Sequence, residues 1–295
     1  MKLSILVPVY NNLSYTKNCL HNLNEFCVKN SAFHKEVTTS IIVIDDGSTD
    51  GTKEWIQEYS PTVHLIQGNG NLWWSGAINK GIEYDLKELQ SDYILFWNND
   101  IEVKSDYFPN LLSVLKENDS NTIIGSKIYC KDTSTVWSMG GLVNLNKGNT
   151  SMIGSMMEDS DDLNKIQNVD WLTGMGSVYP ASVFNTIGLI NDKDFPQYFG
   201  DLDISYRAKL SGYSVKVFPK LQIWNDIVNT GIKHNGSFKQ LRSSFTSIKS
   251  LYNLSVDIKF QRKYIKSYKG YFQLFIKYSK YIGGYIKNKL LPSTN

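Results

Sequence analysis

Cysteines and long apolar runs are both scarce in this chain of 295 residues. The three cysteines, Cys19, Cys27 and Cys130, are odd in number and lack metal-ligand spacing. This argues against a disulfide framework and favours a reducing compartment. No run approaches the ~18 apolar residues of a membrane span, and the apolar segment 3–9 is too short for a signal peptide. We therefore expect a cytoplasmic protein.

Acidic residues are almost missing from the end of the chain. Residues 236–295 hold 12 lysines and arginines but one acid, Asp257, so their formal net charge is +11. The formal net charge of the preceding residues is −8. The length suits one large α/β body with an appendage. We expect the body to span residues 1–237 and a basic, aromatic helical extension to span 238–295.

Apolar strands that end abruptly in polar residues recur along the body. The run 40–44 is rich in β-branched residues, which is typical of a strand buried on both faces of a parallel sheet. Similar apolar runs at 3–7 and 93–97 predict two more strands. The polar segments that follow the three runs are Pro8-Val9-Tyr10-Asn11-Asn12, Asp45-Asp46-Gly47-Ser48-Thr49-Asp50 and Asn98-Asn99-Asp100. Because open α/β sheets bind ligands at the carboxyl ends of their strands, we expect these side chains to share one edge.

The order and spacing of four motifs resemble family 2 of the glycosyltransferases. Three are the strand ends above, and the fourth, Phe199-Gly200-Asp201-Leu202-Asp203-Ile204-Ser205-Tyr206-Arg207, resembles the family's Glu-Asp-x-Asp…Arg segment. The resemblance covers about residues 1–237. It implies the GT-A fold, an α/β architecture with a mostly parallel, Rossmann-like sheet flanked by helices. A C-terminal helical extension would follow.

Two further segments narrow the resemblance. Residues 70–76 and 171–176 look most like bacterial enzymes that transfer rhamnose and related hexoses. The implied enzyme is inverting and metal-dependent, and moves a sugar from a UDP- or dTDP-sugar to a hydroxyl of a glycan or lipid-linked glycan. It would serve bacterial surface polysaccharide synthesis, with no nucleic-acid partner.

The resemblance places a nucleotide pocket at the strand ends. Asp46 can accept the imide N–H of uracil or thymine, and Tyr10 can stack on the base. Pro8 stiffens the loop or simply terminates its strand, and both interpretations stay open. The nucleotide-binding residues implied are Pro8, Tyr10, Asn11, Asp45, Asp46 and Asn99.

The same resemblance makes Asp100 a metal ligand. Mg²⁺ and Mn²⁺ prefer oxygen donors and often join one or two carboxylates to substrate phosphates. Members of the family usually have the motif Asp-x-Asp at this position, whereas this chain has Asn98-Asn99-Asp100. His234 is the candidate second ligand, with a surface-loop histidine as the alternative. The family's usual histidine position, counted from Pro219, falls on Asn225.

Asp201 is the expected general base. Single displacement needs a carboxylate near the acceptor hydroxyl, on the face opposite the leaving group. In the family the second acid of Glu-Asp has this role, and Gly200 replaces the preceding Glu here. Asp203 is expected at the acceptor, although an i,i+4 ion pair with Arg207 is also expected of the helix.

The donor sugar and its diphosphate are expected beside the glycine-rich segment 68–76, which lacks the Gly-Lys-Ser/Thr of a P-loop. The residues implied are Gly70, Asn71, Ser75, Gly76 and Asn79. On the acceptor side we expect Trp171 and Gly174. For each tryptophan of these segments, stacking on a sugar and buried packing are equally open.

In the extension, aromatic and apolar residues occur alternately four and three positions apart, which predicts one face of a helix. These are Tyr264, Tyr268, Tyr271, Phe275, Tyr278, Ile282 and Tyr285. Such a helix either docks on an anionic membrane, placing the protein peripherally on the inner face of the cell membrane, or packs on the body. We expect Gly283-Gly284 to interrupt it, and Gly140-Gly141 to form a hairpin turn.

Two other functions fit parts of the pattern. A nucleotidyltransferase shares such a sheet, but a glycine-rich basic loop would follow its first strand, unlike Pro8-Val9-Tyr10-Asn11. A noncatalytic sugar-binding or scaffold protein would explain the missing first Asp and the glycine at 200. The presence of both Asp100 and Asp201 argues against it.

Overall fold

A computed structural model describes residues 1–28, 31–226 and 237–290. The strands are β1 Lys2–Val9, β2 Thr38–Asp45, β3 His64–Gln67, β4 Tyr93–Phe96, β5 Ile101–Val103, β6 Thr122–Cys130, β7 Thr135–Ser138, β8 Gly141–Asn144, β9 Asn149–Met152, β10 Met157–Glu158, β11 Gln167–Asn168, β12 Ser177–Pro180 and β13 Ser214–Asn225. The helices are α1 Leu13–Leu23, α2 Ser31–His34, α3 Thr52–Tyr59, α4 Trp73–Tyr84, α5 Tyr107–Glu117, α6 Val183–Ile187, α7 Gly200–Leu210, α8 Phe238–Thr246, α9 Leu254–Phe260 and α10 Tyr268–Leu290.

The first half of the main sheet is parallel, with strand order β3-β2-β1-β4. Leu6 in β1 pairs with Ile42 in β2 and with Phe96 in β4, and all three side chains are fully buried. Helices cover both faces of the sheet, which is why these strands are almost continuously apolar. The α/β class with a mostly parallel, helix-flanked sheet is confirmed.

The second half of the sheet is mixed. β12 runs antiparallel between β4 and β6, and β6 pairs in parallel with β13. The predicted hairpin at Gly140-Gly141 is wrong, because β7 pairs with β6 and β10 while β8 pairs with β9. Gly140, at φ 71°, instead turns the chain from the main sheet into the separate β8–β9 ribbon.

The extension packs against the body. A third apolar cluster joins Phe260 and Ile265 to Trp171, Leu202 and Tyr206, and so crosses the expected boundary at residue 237. The ring centroids of Phe199 and Phe260 lie 5.2 Å apart, as do those of Tyr206 and Tyr264. The division into 1–237 and 238–295 stays a prediction.

The last helix runs without interruption through Gly283-Gly284, so the predicted break is wrong. Its predicted single aromatic face is divided. Tyr278 points inward, where its hydroxyl oxygen lies 2.6 Å from Asp257 Oδ2 and 3.0 Å from the carbonyl oxygen of Tyr252, whereas Tyr268 and Phe275 are exposed. Within the described ranges, no helix combines the length and apolarity that crossing a membrane requires.

Candidate active site

Two adjoining clefts open at the carboxyl ends of the parallel strands. The strand-end cleft, of about 460 Å³, is lined by Pro8, Tyr10, Asp46, Gly70 and Asn99, among others. The α7 cleft, of about 450 Å³, is lined by the start of α7, including Asp201, and by Trp171, Thr173 and Gly174. The two clefts share a wall made of Trp74, Asn98, Asp100, Gln197 and Tyr198.

The turns after β1 and β2 are bonded to each other. Asn11, at φ 56°, accepts the backbone N–H of Thr49 through its side-chain oxygen (2.9 Å) and donates its own N–H to Ser48 Oγ (2.7 Å). The fully buried Asp45 accepts the N–H of Ser48 at 2.9 Å. Asn11 and Asp45 thus hold the two turns together but line neither cleft, and their contact with a nucleotide stays a prediction.

Asp46 lines the strand-end cleft, yet its carboxylate is already engaged. It accepts backbone N–H groups from Gly70 at 2.8 Å, Leu72 at 2.9 Å and Trp73 at 3.1 Å. Gly70 and Trp73 both have positive φ, at 87° and 56°. The carboxylate thus holds the loop that leads into α4 in a conformation that few side chains adopt unaided. Recognition of a base by Asp46 stays a prediction.

Three residues expected near the donor sugar lie on α4, where their neighbours are other protein groups. Ser75 Oγ is buried and donates to the carbonyl of Phe195 at 2.6 Å. Asn79 exchanges hydrogen bonds with the backbone of Ile190, both at 2.9 Å, and Gly76 packs against Leu72. Of the predicted donor set, Gly70 is the member found in the lining of the strand-end cleft, and Asn71 is exposed beside it.

Asp100 sits at the junction of the two clefts. Its Oδ1 is buried and accepts no hydrogen bond from the described residues. Burial, and to a lesser degree the negative charge of Asp226, raise the pKa of the Asp100 carboxyl. Asp226 follows β13 and accepts the hydroxyl of Tyr15 at 3.0 Å. A buried, unsatisfied carboxylate oxygen near a second carboxylate fits a divalent cation.

No group of three or more His, Cys, Asp or Glu side chains suited to a metal occurs in the part of the chain that the structure describes. His234 lies outside the described residues. Asn225, at the end of β13, lines the α7 cleft. Of the two metal ligands predicted from the sequence, Asp100 is the one that the structure describes. It lines both clefts, and its binding of a cation stays a prediction.

Asp201 enters the α7 cleft from the first turn of α7. Its two oxygens accept the backbone N–H groups of Gly174 and Leu202, both at 2.9 Å. Burial raises the pKa of this carboxyl, and the two backbone hydrogen bonds oppose the rise. A fixed carboxylate with an elevated pKa is suited to accept a proton.

Close packing explains why glycine precedes Asp201. A Cβ at Gly200 would lie 2.1 Å from Ser75 Oγ, so a glutamate does not fit there. Asp203 is fully buried away from both clefts, where it pairs with Arg207 at 2.9 Å and with Lys263, and accepts the Tyr264 hydroxyl at 2.5 Å. The expected helix ion pair is present, and the role of Asp203 at an acceptor stays a prediction.

Sequence reasoning missed several residues of the clefts, among them Gln197, Tyr198 and Lys249. Gln197 and Tyr198 lie in the shared wall, and Gln197 accepts the N–H of Trp74 at 3.2 Å. Both directly precede the Phe199-Gly200-Asp201 motif, and this adjacency was a usable signal. Lys249 lines the strand-end cleft from the extension, and no motif marks it.

The family model for glycosyl transferase family 2 matches residues 4–184, more than half of the chain. The chain belongs to this family. The family match favours a glycosyltransferase over the nucleotidyltransferase alternative. The sequence is 23% identical over 242 residues to the low-salt glycan biosynthesis hexosyltransferase Agl10 of Haloferax volcanii, covering 78% of this chain and 74% of that protein.

A second relative is much longer than this chain. Glycosyltransferase GlyA of Streptococcus pneumoniae serotype 4 is 24% identical over 239 residues, which is 76% of this chain but 32% of GlyA. The chain thus spans about a third of the length of that relative.

Solved structures confirm the GT-A fold for this family 2 chain. GalNAc-T7 with UDP, GalNAc and Mn²⁺ superposes with a TM-score of 0.60 at 12% identity, covering 90% of this chain and 49% of that one. The mannosyltransferase PcManGT of Pyrobaculum calidifontis, with GDP-Man and Mn²⁺, gives 0.57 at 14% identity, covering 88% and 64%.

Proposed function

We propose that this chain is an inverting, metal-dependent hexosyltransferase that moves a sugar from a UDP- or dTDP-sugar to a hydroxyl of a glycan or lipid-linked glycan. The observation that carries the proposal is the shared wall between the two clefts. Asp100 belongs to this wall and lines both clefts, whereas Asp201 lines the α7 cleft alone. A donor in the strand-end cleft and an acceptor in the α7 cleft would meet there.

Inversion requires one displacement at the anomeric carbon. The acceptor oxygen forms the new bond as the bond from that carbon to the diphosphate oxygen breaks, and the nucleoside diphosphate departs with the electron pair. Asp201 takes the proton of the acceptor hydroxyl. Its two backbone hydrogen bonds fix the carboxylate toward the α7 cleft, so little reorganisation precedes proton transfer.

Asp100 and Asp226 would hold the Mg²⁺ or Mn²⁺ ion, with diphosphate oxygens completing its coordination. The bound cation supplies positive charge beside the departing diphosphate. The two structural neighbours solved with Mn²⁺ and a nucleotide or nucleotide sugar support the use of a divalent cation. Two carboxylates plus substrate phosphates are a common donor set for such ions.

The α7 cleft suits a glycan. Trp74, Trp137 and Trp171 all contribute to its lining, and aromatic faces pack on the apolar faces of sugars. The Haloferax relative is named for glycan biosynthesis. This supports our proposal that the present chain acts in the synthesis of a surface polysaccharide. Rhamnose or a related hexose is the donor sugar we propose, on the likeness of segments 70–76 and 171–176.

A thermal-shift screen of sugar nucleotides tests the donor and the metal together. With Mn²⁺ present, the matching donor is expected to raise Tm by several degrees, because a ligand at ~100 times its Kd adds ~2.7 kcal/mol of stability. Asp100→Ala should abolish the Mn²⁺-dependent part of this shift while the protein stays folded.

Asp106→Ala is the matched control, because this exposed aspartate precedes α5 and its side chain caps no backbone group there. It should retain the full shift. An Asp100→Ala protein that binds the donor with undiminished Mn²⁺ dependence would contradict the metal assignment.

The outer face of α10 supports a peripheral membrane role within this proposal. Tyr268, Phe272 and Phe275 are 81%, 60% and 67% exposed, and Ile282 and Ile286 continue the same face. Exposed lysines at 269, 280 and 287 accompany this face. Apolar side chains beside basic ones match the interface of an anionic membrane, where a lipid-linked acceptor would reside.

Vesicle co-sedimentation tests the membrane surface. The full chain is expected to sediment with vesicles of phosphatidylserine and phosphatidylcholine at low salt and to be released as salt rises, because screening shortens the reach of its charges. Replacing Phe272 and Phe275 together by Ser should reduce binding at least several-fold. The control is replacement of the exposed Tyr59, which lies on the body. Full-length protein that ignores such vesicles at low salt would rule the surface out.

A further inference from the structure

The clefts carry an unusual distribution of charge for a site that receives a diphosphate. Three carboxylates, Asp46, Asp100 and Asp201, line them. Among the described residues that line either cleft, Lys249 is the one lysine or arginine. A departing diphosphate needs positive charge near it, and the body of the protein supplies none from the described lining.

The position of Lys249 suits this role. It lines the strand-end cleft together with Gly70, Trp73 and Asp100. Its Nζ lies 5.9 Å from the centroid of the Trp73 ring. The ammonium group forms no ion pair with a described carboxylate, so it is available to a ligand, and the flexible stem lets it reach further into the cleft.

The backbone that carries Lys249 is held in place. Residues 247–253 form the turn between α8 and α9, which we call the 247–253 turn. Asn253 ties this turn together by donating to the carbonyl of Ser247 at 3.1 Å and accepting the N–H of Ser255 at 3.0 Å. From the other end, the carbonyl of Tyr252 accepts the Tyr278 hydroxyl at 3.0 Å.

The 247–253 turn also reaches the second cleft. Leu251 lines the α7 cleft, and the carbonyl of Lys249 lies 3.5 Å from the hydroxyl of Tyr198 in the shared wall. A single rigid turn of the extension therefore contributes to both clefts, next to the wall that separates donor from acceptor.

We propose that Lys249, delivered by the C-terminal extension, binds the diphosphate of the donor and stabilises it as it departs. This inference rests on the proposed function and assigns to the extension a direct part in the chemistry. The interaction is between a lysine point charge and phosphate oxygens, so it depends on charge rather than on a particular side-chain shape.

Calorimetric titration of the full chain with nucleoside diphosphates tests the proposal. In the presence of Mn²⁺, UDP, dTDP and GDP are each titrated into wild type, Lys249→Met and Lys249→Arg. The corresponding nucleosides are titrated separately into the same three proteins. Lys249→Met is expected to weaken binding of the preferred diphosphate roughly 10-fold at low salt and to leave nucleoside binding unchanged. Methionine keeps much of the side-chain length, and Lys249→Arg should restore most of the affinity.

Lys239→Met is the matched control, because Lys239 is exposed on α8 of the same extension and lines neither cleft. It should bind like wild type, and thermal melts should show all variants folded. If Lys249→Met binds diphosphate as tightly as wild type, or loses nucleoside and diphosphate equally, the inference is overturned and the proposed function stands. If wild type binds none of the three diphosphates, both are overturned.

Discussion

Asp201→Asn is expected to lower the rate of sugar transfer by about 10²-fold or more while donor binding stays near the wild-type value. The amide retains the size of the carboxylate but cannot accept the proton of the acceptor hydroxyl. Asp201 lines the α7 cleft and not the strand-end cleft, so the nucleotide position is untouched. The measurement is turnover of the donor found in the thermal-shift screen, together with its Kd.

The pH profile separates a base from a merely structural residue. Because burial raises the pKa of Asp201, the acid limb of the rate should lie above the range of an ordinary aspartate, with activity lost as pH falls and the carboxylate takes up a proton. Asp161→Asn, at an exposed aspartate that lines neither cleft, is the control and should change neither the transfer rate nor the acid limb of its pH profile. A near wild-type rate for Asp201→Asn would remove Asp201 from the role of base.

Ending the chain at residue 237 is expected to give aggregated protein instead of a smaller active enzyme. The deletion removes Phe260 and Ile265 from the apolar cluster around Trp171, and it leaves the buried Asp203 with Arg207 as its remaining partner. Breaking a buried ion pair costs ~3–5 kcal/mol, and whole domains are stable by only ~5–15 kcal/mol. Size-exclusion chromatography and circular dichroism report the outcome.

A milder variant tests the same contact within a folded chain. Tyr264→Phe removes the hydroxyl that Asp203 accepts and should lower the free energy of unfolding by roughly 1.5–3 kcal/mol, the range for a hydrogen bond to a charged group. Tyr268→Phe, four residues on and 81% exposed, should have almost no effect. Soluble, cooperatively folding protein from the 1–237 truncation would show that the body does not need these contacts.

The strand ends were predictable because their signals are local. An apolar β-branched run followed by polar residues fixes where a buried strand stops, and parallel strands bring their carboxyl ends to one edge. Asp46, Asp100 and Tyr10 consequently line one cleft, as the pattern predicted. The i,i+4 spacing of Asp203 and Arg207 predicted that both lie on one helix, and α7 contains both residues.

What the sequence did not reveal depends on long-range contacts. The Ser75 hydroxyl and the Asn79 carboxamide were predicted to bind the donor. In the structure both groups donate hydrogen bonds to backbone carbonyls of the loop before α7. The aromatic spacing of the extension predicted one face, whereas tertiary packing divides it between Asp203, Asp257 and solvent. Lys249 enters the site only because α8 and α9 fold back over the strand ends.

The wall that separates the two clefts has an evolutionary consequence. Under the proposed function, a substitution at Trp74, Gln197 or Tyr198 would alter the surroundings of donor and acceptor at once, so we expect these positions to tolerate little change. Trp137, Thr150 and Met152 line the α7 cleft alone and come from the segment around β7–β9. If the α7 cleft binds the acceptor as proposed, changes in that segment would alter the choice of acceptor without touching the residues that line the strand-end cleft.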